Sequence, residues 1–218
     1  MEKILSFLKK LKKNNNREWF NDHKSEYLEV KQEIEDFTAQ VLEGICSFDK
    51  SLRGMTVKRS VFRIYRDTRF SPDKTPYKTN IGIFMSRDGA KAEVGGYYVH
   101  FEPGECFVGA GAYGFQSEKL RKVRQGIYYN CAEFKKILAA PVVRKNFGGL
   151  HDYGKLKTAP KGFDKDFPDI DLLRYRHYFL AHDVTDKEIA SPEYAKNVIQ
   201  WCRQLYPFTS FINSAIDF

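Results

Sequence analysis

Between Val61 and Ala112 the chain leaves no room for a helix, and this stretch constrains the fold more than any other. Apolar residues alternate with polar ones in short runs separated by turn residues. Phe62 and Ile64 share one face of a first strand, with Arg63, Tyr65 and Asp67 on the other; Ile81, Ile83 and Met85 mark a second. Arg87-Asp88-Gly89 reads as a turn. From Gly96 to Glu102, Tyr97, Val99 and Phe101 alternate with Tyr98, His100 and Glu102. Pro103-Gly104 reads as a hairpin turn and Glu105 to Ala112 as the returning strand. Strands joined this closely pair antiparallel, because a parallel crossover needs a dozen or more residues. The expected fold class is α+β: an antiparallel β-sheet of at least four strands with helices packed mainly on one face.

Helical stripes flank this core. Ile4, Leu5, Leu8 and Leu11 recur at helical spacing until Asn14-Asn15-Asn16. Tyr27, Val30, Ile34, Phe37, Val41 and Ile45 form one apolar stripe over about Asp22 to Ile45, and Trp19 and Phe20 are expected to anchor the join. Beyond the sheet, Ser117 reads as an N-cap, Leu120, Val123 and Ile127 mark one helix, and Phe134, Ile137 and Leu138 another ending before Pro141. Gly148 to Asp169 reads as a loop-rich lid or decoration, and His177 to Val184 as a further strand. Ser191-Pro192-Glu193 opens a last helix, expected to reach Pro207. Residues 1–218 are expected to form a single domain: N-terminal helices 3–46, a β-meander core 57–113, and helices, loop region and strand over 117–218.

Several function classes are disfavoured. Lysines at 9, 10, 12 and 13 interrupt the apolar start, unlike a signal peptide, and no apolar run approaches a membrane span. A cytoplasmic protein with no membrane partner is expected. Cys46, Cys106, Cys131 and Cys202 lie far apart with no metal-ligand spacing, and the five histidines form no close pair, so no metal site is expected. Gly109-Ala110-Gly111-Ala112-Tyr113-Gly114 matches the dinucleotide fingerprint literally. The following helix, however, is expected to start only at Ser117, outside a βαβ unit, so a strand edge with glycines admitting a close approach is preferred.

The chemistry concentrates between Lys58 and Asn80, where seven basic residues face Asp67 and Asp73, giving 7 − 2 = +5 of the chain's net +8. Pro72 and Pro76 stiffen the loop, and Ser71-Pro72-Asp73-Lys74 suits a type I turn. Three readings stay open. The first, which we place foremost, is a site for a small anionic ligand bearing phosphate or carboxylate. Arg63, Arg66 and Arg69 would supply planar forks, Lys74 and Lys78 point charges, and Tyr77 and Tyr98 hydroxyls. His100 would carry a proton and Asp67 would orient an arginine or act as base, leaving the protein's status as an enzyme undecided. The second reading is a structural ion-pair loop in a non-catalytic interaction protein. The third, placed last, is a nucleic-acid-binding module. Aromatics gathered round one point would favour the small ligand, and Tyr65, Tyr77 and Tyr98 are expected to gather. Neither a cofactor nor an oligomeric state is legible.

The motif Arg63-x-Tyr-Arg-Asp-Thr-Arg-Phe-Ser-x-Asp-Lys-Thr-Pro-Tyr-Lys-Thr79, followed by Gly96-Tyr97-Tyr98-Val99-His100 and Val108-Gly109-Ala110-Gly111, resembles an uncharacterised, mainly bacterial family, the domain of unknown function numbered 2461. The resemblance runs from Ile4 to about Asn213. It implies a shared fold and carries no activity, cofactor or partner with it. Where the family often enters the helix after the glycines through a proline, this chain reads Tyr113-Gly114-Phe115-Gln116.

Overall fold

A computed structural model describes residues 1–218. Helix α1 (Glu2–Lys13) buries Ile4, Leu5, Phe7, Leu8 and Leu11 on one face. The Asn16 side chain then accepts from the Trp19 N–H and caps α2 (Arg17–Asp22). In α3 (Lys24–Cys46) the expected stripe of Val30, Ile34, Phe37, Val41 and Ile45 is buried. A 3-10 turn (Lys50–Leu52) and the short α4 (Val57–Ser60) lead to the sheet.

The sheet has four strands, β1 (Ile81–Met85), β2 (Gly96–Phe101), β3 (Cys106–Ala112) and β4 (Tyr178–Val184), antiparallel throughout and in that order. The register pairs Gly82 with His100, His100 with Phe107, and Phe107 with Asp183. Between β3 and β4 lie α5 (Ser117–Tyr129), α6 (Cys131–Ala139), α7 (Pro141–Phe147) and α8 (Ile170–Leu173). After β4 come α9 (Asp186–Ala190), closed by a Thr185/Glu188 capping box, and α10 (Tyr194–Asp217). No helix is long and apolar enough to cross a membrane.

The helices gather on one sheet face. Tyr97, Val99 and Phe101 of β2 point into the core, where Phe37 meets Phe101 edge-on at 5.6 Å. One connected cluster of buried side chains runs from Ile4 to Ile216, so both terminal helices pack on the same core. The buried Tyr97 hydroxyl donates to Asp49 at 3.0 Å, which also accepts from the Ser51 N–H and hydroxyl. That satisfies a carboxylate only 4% exposed.

Three expectations are corrected. Val61 to Arg66 is not a regular strand. It makes single bridges, Val61 to Ile83 and Tyr65 to Tyr77, so three residues on one side face five on the other. Ile64 sits at a bend and is buried, while Phe62 turns to the opposite sheet face. The extra residues break the alternation, as a bulge does. Second, α10 does not end at Pro207 but continues to Asp217. A proline inside a helix costs about 3 kcal/mol. Burying Phe208, Ile212 and Ile216 at about 1.5–3 kcal/mol each outweighs that. Third, Ser117 is the first helical residue rather than the cap, and Gln116 caps without a side-chain bond.

Candidate functional site

The basic loop is held by its own acids. Arg66 donates to the Asp73 carboxylate, the Thr75 hydroxyl, the Thr75 carbonyl at 3.2 Å and the Ser71 hydroxyl at 3.5 Å. Arg69 forks onto Asp67 at 2.9 and 2.7 Å, and Lys74 donates to the Thr68 carbonyl at 2.9 Å. The Arg69 fork holds the Asp67 carboxyl below its usual range. Tyr77 faces the opposite way, stacked on Phe20 at 3.9 Å, with its backbone clamped by the Asn15 amide. Burial pushes its hydroxyl pKa up, with Tyr65 adding to the shift.

Two predictions arise here. Arg66→Ala is expected to destabilise the protein by about 1–2 kcal/mol, since it removes charged hydrogen bonds but leaves Asp73 in water. For a chain this long that lowers Tm by roughly 2–8 °C; calorimetry checks it. The second concerns pH. The Thr75 N–H, then Arg66 and the Thr75 hydroxyl, lower the Asp73 pKa from 3.8 to about 2. A depressed folded pKa gives a contribution that is full above the unfolded value and fades as pH falls through the folded one. Loop protection in amide exchange should therefore decline between about pH 4 and pH 2. In Asp73→Asn it should be low throughout; an identical profile in both proteins contradicts the assignment.

The other sheet face carries no helix. It carries Gly82 and Phe84 on β1, Gly96, Tyr98 and His100 on β2, Phe107 and Gly109 on β3, and Phe179, Ala181 and Asp183 on β4. Glycine and aromatic residues interlock. A Cβ on Gly82 would lie 2.5 Å from the Tyr98 oxygen, one on Gly96 2.7 Å from Phe84, and one on Gly109 2.5 Å from Phe179. Each ring thus leans over the glycine one pair along on the neighbouring strand. The rings floor a cleft of about 540 Å³, walled by Phe62, Ala90 to Val94, Tyr113 and Tyr153. Tyr113 stacks on His177 at 4.3 Å, and the His177 Nδ1 accepts from the Gly114 N–H at 3.0 Å. Burial, with Arg176 nearby, lowers the His177 pKa.

A hydrogen-bonded chain crosses this floor. The Tyr98 hydroxyl is 3.0 Å from His100 Nδ1, and His100 Nε2 is 3.2 Å from Glu102 Oε2. Phe107 stacks on the imidazole at 4.8 Å and 17°. Asn80 and Thr79 donate to Glu102 at 3.4 and 3.5 Å, and Lys12 lies 4.0 Å from it. Burial, then the Glu102 charge, push the Tyr98 pKa up to about 12. Beside Phe62, the Lys78 ammonium sits 5.4 Å from the ring centroid. Burial and then Arg63 hold Lys78 below the ordinary lysine range. Arg63 and Lys78 take no part in the ion pairs that occupy Arg66 and Arg69.

The family model of the conserved hypothetical proteins DUF2461 matches residues 3–211. The chain belongs to the DUF2461 family. No curated protein and no solved structure matches it.

In this DUF2461 chain the candidate residues divide. Tyr98 and His100 meet on the open face, Lys78 lies beside Phe62 at its rim, and the Arg63 charge is near enough to lower the Lys78 pKa. Asp67, Arg66, Arg69 and Lys74 close on one another within the loop, and Tyr77 packs with Tyr65 and Phe20. Tyr65 and Tyr77 therefore gather away from Tyr98. Phe62, Phe84, Phe107 and Phe179 escape a reading based on charge. Their signal is the run of glycines and aromatics at alternate positions, Gly82-x-Phe84, Gly96-x-Tyr98 and Phe107-x-Gly109. The glycines of the dinucleotide-like match lie inside β3 or just after it, and Gly111 packs against the Tyr178 carbonyl.

Proposed function

We propose that this DUF2461 protein binds a small, planar, anionic compound in the open-face cleft, its ring stacked on the aromatic floor and its acidic group toward Lys78 and Arg63. The carrying observation is the pair of cations outside the loop's ion pairs, set beside a concave aromatic cleft. Ligand sites are typically concave clefts of about 300–1,000 Å³, mostly apolar with a few polar groups. The occupied Arg66 and Arg69 support a strut role for the loop tip. A thermal-shift panel of benzoate, phenylpyruvate, AMP and inorganic phosphate tests the reading. At least one planar acid should stabilise the protein while phosphate alone does not; a panel with no stabiliser rejects it.

A specific observation also favours a second reading, single-stranded nucleic acid. Exposed Tyr113 and Tyr153 on the cleft wall add to the ring surface of the floor, and bases stack on such open-sheet aromatics. A labelled oligonucleotide titrated at low and high salt decides it. Backbone binding weakens steeply with salt, and absence of binding at low salt removes this reading.

A further inference from the structure

Given the cleft as a ligand site, on which the inference rests, we propose that it transfers protons. Its substrate would be an aryl compound carrying an anionic group and an acidic C–H beside a carbonyl. Tyr98 is the catalytic residue, and His100 and Glu102 are its positioning relay.

The chemistry of the donors fixes the direction of the chain. A carboxylate only accepts, so His100 Nε2 carries the hydrogen that reaches Glu102 at 3.2 Å. In the neutral ring Nδ1 is then an acceptor, and the Tyr98 hydroxyl donates to it at 3.0 Å. The order carboxylate–imidazole–hydroxyl is the one that activates a hydroxyl through a base held in one tautomer. Asn80 and Thr79 fix Glu102 from the β1 side, and Phe107 fixes the ring plane from β3. The imidazole and carboxylate are only 12% and 17% exposed, which limits exchange with bulk water. Lys12 lies 4.0 Å from Glu102 Oε1, while His100 meets Oε2, so the two contacts use different oxygens. The high Tyr98 pKa means that the phenol acts as a base only in concert with His100.

The step balances without an oxidant or co-reactant. The substrate C–H bond breaks and its proton passes to the Tyr98 oxygen as the phenolic proton moves to His100 Nδ1. The electron pair moves onto the carbonyl oxygen, giving an enolate, while the imidazolium stands against Glu102. Reversal returns a proton to oxygen, giving the enol, or to carbon, giving back the ketone. The net change is keto–enol isomerisation.

Phenylpyruvate supplies the ring, the carboxylate and the acidic C–H in one probe. Its C3 protons are followed by NMR in D2O with the full chain, alongside its thermal shift. Wild type should accelerate deuterium exchange at least about tenfold over buffer, because positioned acid–base groups contribute roughly 10²–10⁴-fold. Tyr98→Phe, which keeps the ring over Gly82, should lose the acceleration yet keep the thermal shift. Glu102→Gln should lower the rate and move its pH profile, which a merely structural role would not do. Stabilisation by phenylpyruvate without faster exchange overturns proton transfer and leaves the binding reading standing. Absence of both overturns the two together. Equal exchange by wild type and Tyr98→Phe overturns the assignment to Tyr98, and His100→Gln then shows whether the imidazole acts alone.

Discussion

Gly111→Ala is expected to destabilise the protein by at least about 3 kcal/mol, through backbone strain and overpacking together. Its φ is +131°, a conformation L side chains rarely adopt, and an added Cβ would lie 2.0 Å from the Tyr178 carbonyl oxygen and 2.8 Å from the Phe208 ring. Neither neighbour yields cheaply: Tyr178 is paired across the β3–β4 ladder, and Phe208 is buried in α10. At roughly 2–4 °C per kcal/mol, Tm should fall by at least about 6 °C. Gly104→Ala is the control. Its φ is +85° but nothing lies within 4 Å of an added Cβ, so only the conformational cost of about 1 kcal/mol applies. Calorimetry on both variants checks this, and equal losses would show that the close approach at Gly111 contributes nothing.

Lys78→Gln is expected to abolish the stabilisation given by a planar acid, whereas Arg66→Ala should keep it. A ligand specific to the folded state, at 100 times its Kd, adds about 2.7 kcal/mol. That corresponds to roughly 5–10 °C for a chain of this length. Lys78 lies beside Phe62 at the end of the cleft, with Arg63 near, and an incoming anion relieves the repulsion between the two cations. Arg66 is spent on Asp73, Thr75 and Ser71, so its removal loosens the loop without emptying the cleft of charge. The pattern separates cleft from loop. If Arg66→Ala loses the shift and Lys78→Gln keeps it, the ligand belongs on the loop.

The longer helices and all four strands of the sheet are legible from residue periodicity and the turn residues between them, whereas the short helices 17–22, 57–60, 141–147 and 186–190 are not. Ile4 to Leu11 and Val30 to Ile45 bury the residues their spacing selects, and Tyr97, Val99 and Phe101 do so in β2. What failed was parity carried across an irregularity. Alternation does not carry from Phe62 to Ile64, because two extra residues on the facing segment turn Phe62 over. Pro207 does not end α10, because burial of Phe208, Ile212 and Ile216 beyond it outweighs the local cost of the proline. Charge density drew attention to Arg66 and Arg69, yet Asp67 and Asp73 in the same motif already answered them. A charge count along the sequence cannot distinguish a paired arginine from an unpaired one. The cleft is not legible for a different reason, since its rings come from all four strands and its shape depends on which glycine each ring covers.

The sheet is closed by a strand made late. β1, β2 and β3 are joined by short connections, but residues 113–177 intervene before β4 returns to pair with β3. Synthesis runs from the N-terminus, so a three-stranded meander emerges while β4 and the α10 that covers β3 are still unmade. Until then β3 exposes a bare, glycine-rich edge, the kind of surface that pairs with the wrong chain. Its pairing also spans a long sequence separation, which slows folding. Yield from an overexpressing cell should therefore hinge on the last 40 or so residues (about 178–218), and chaperone demand should peak just before they leave the ribosome.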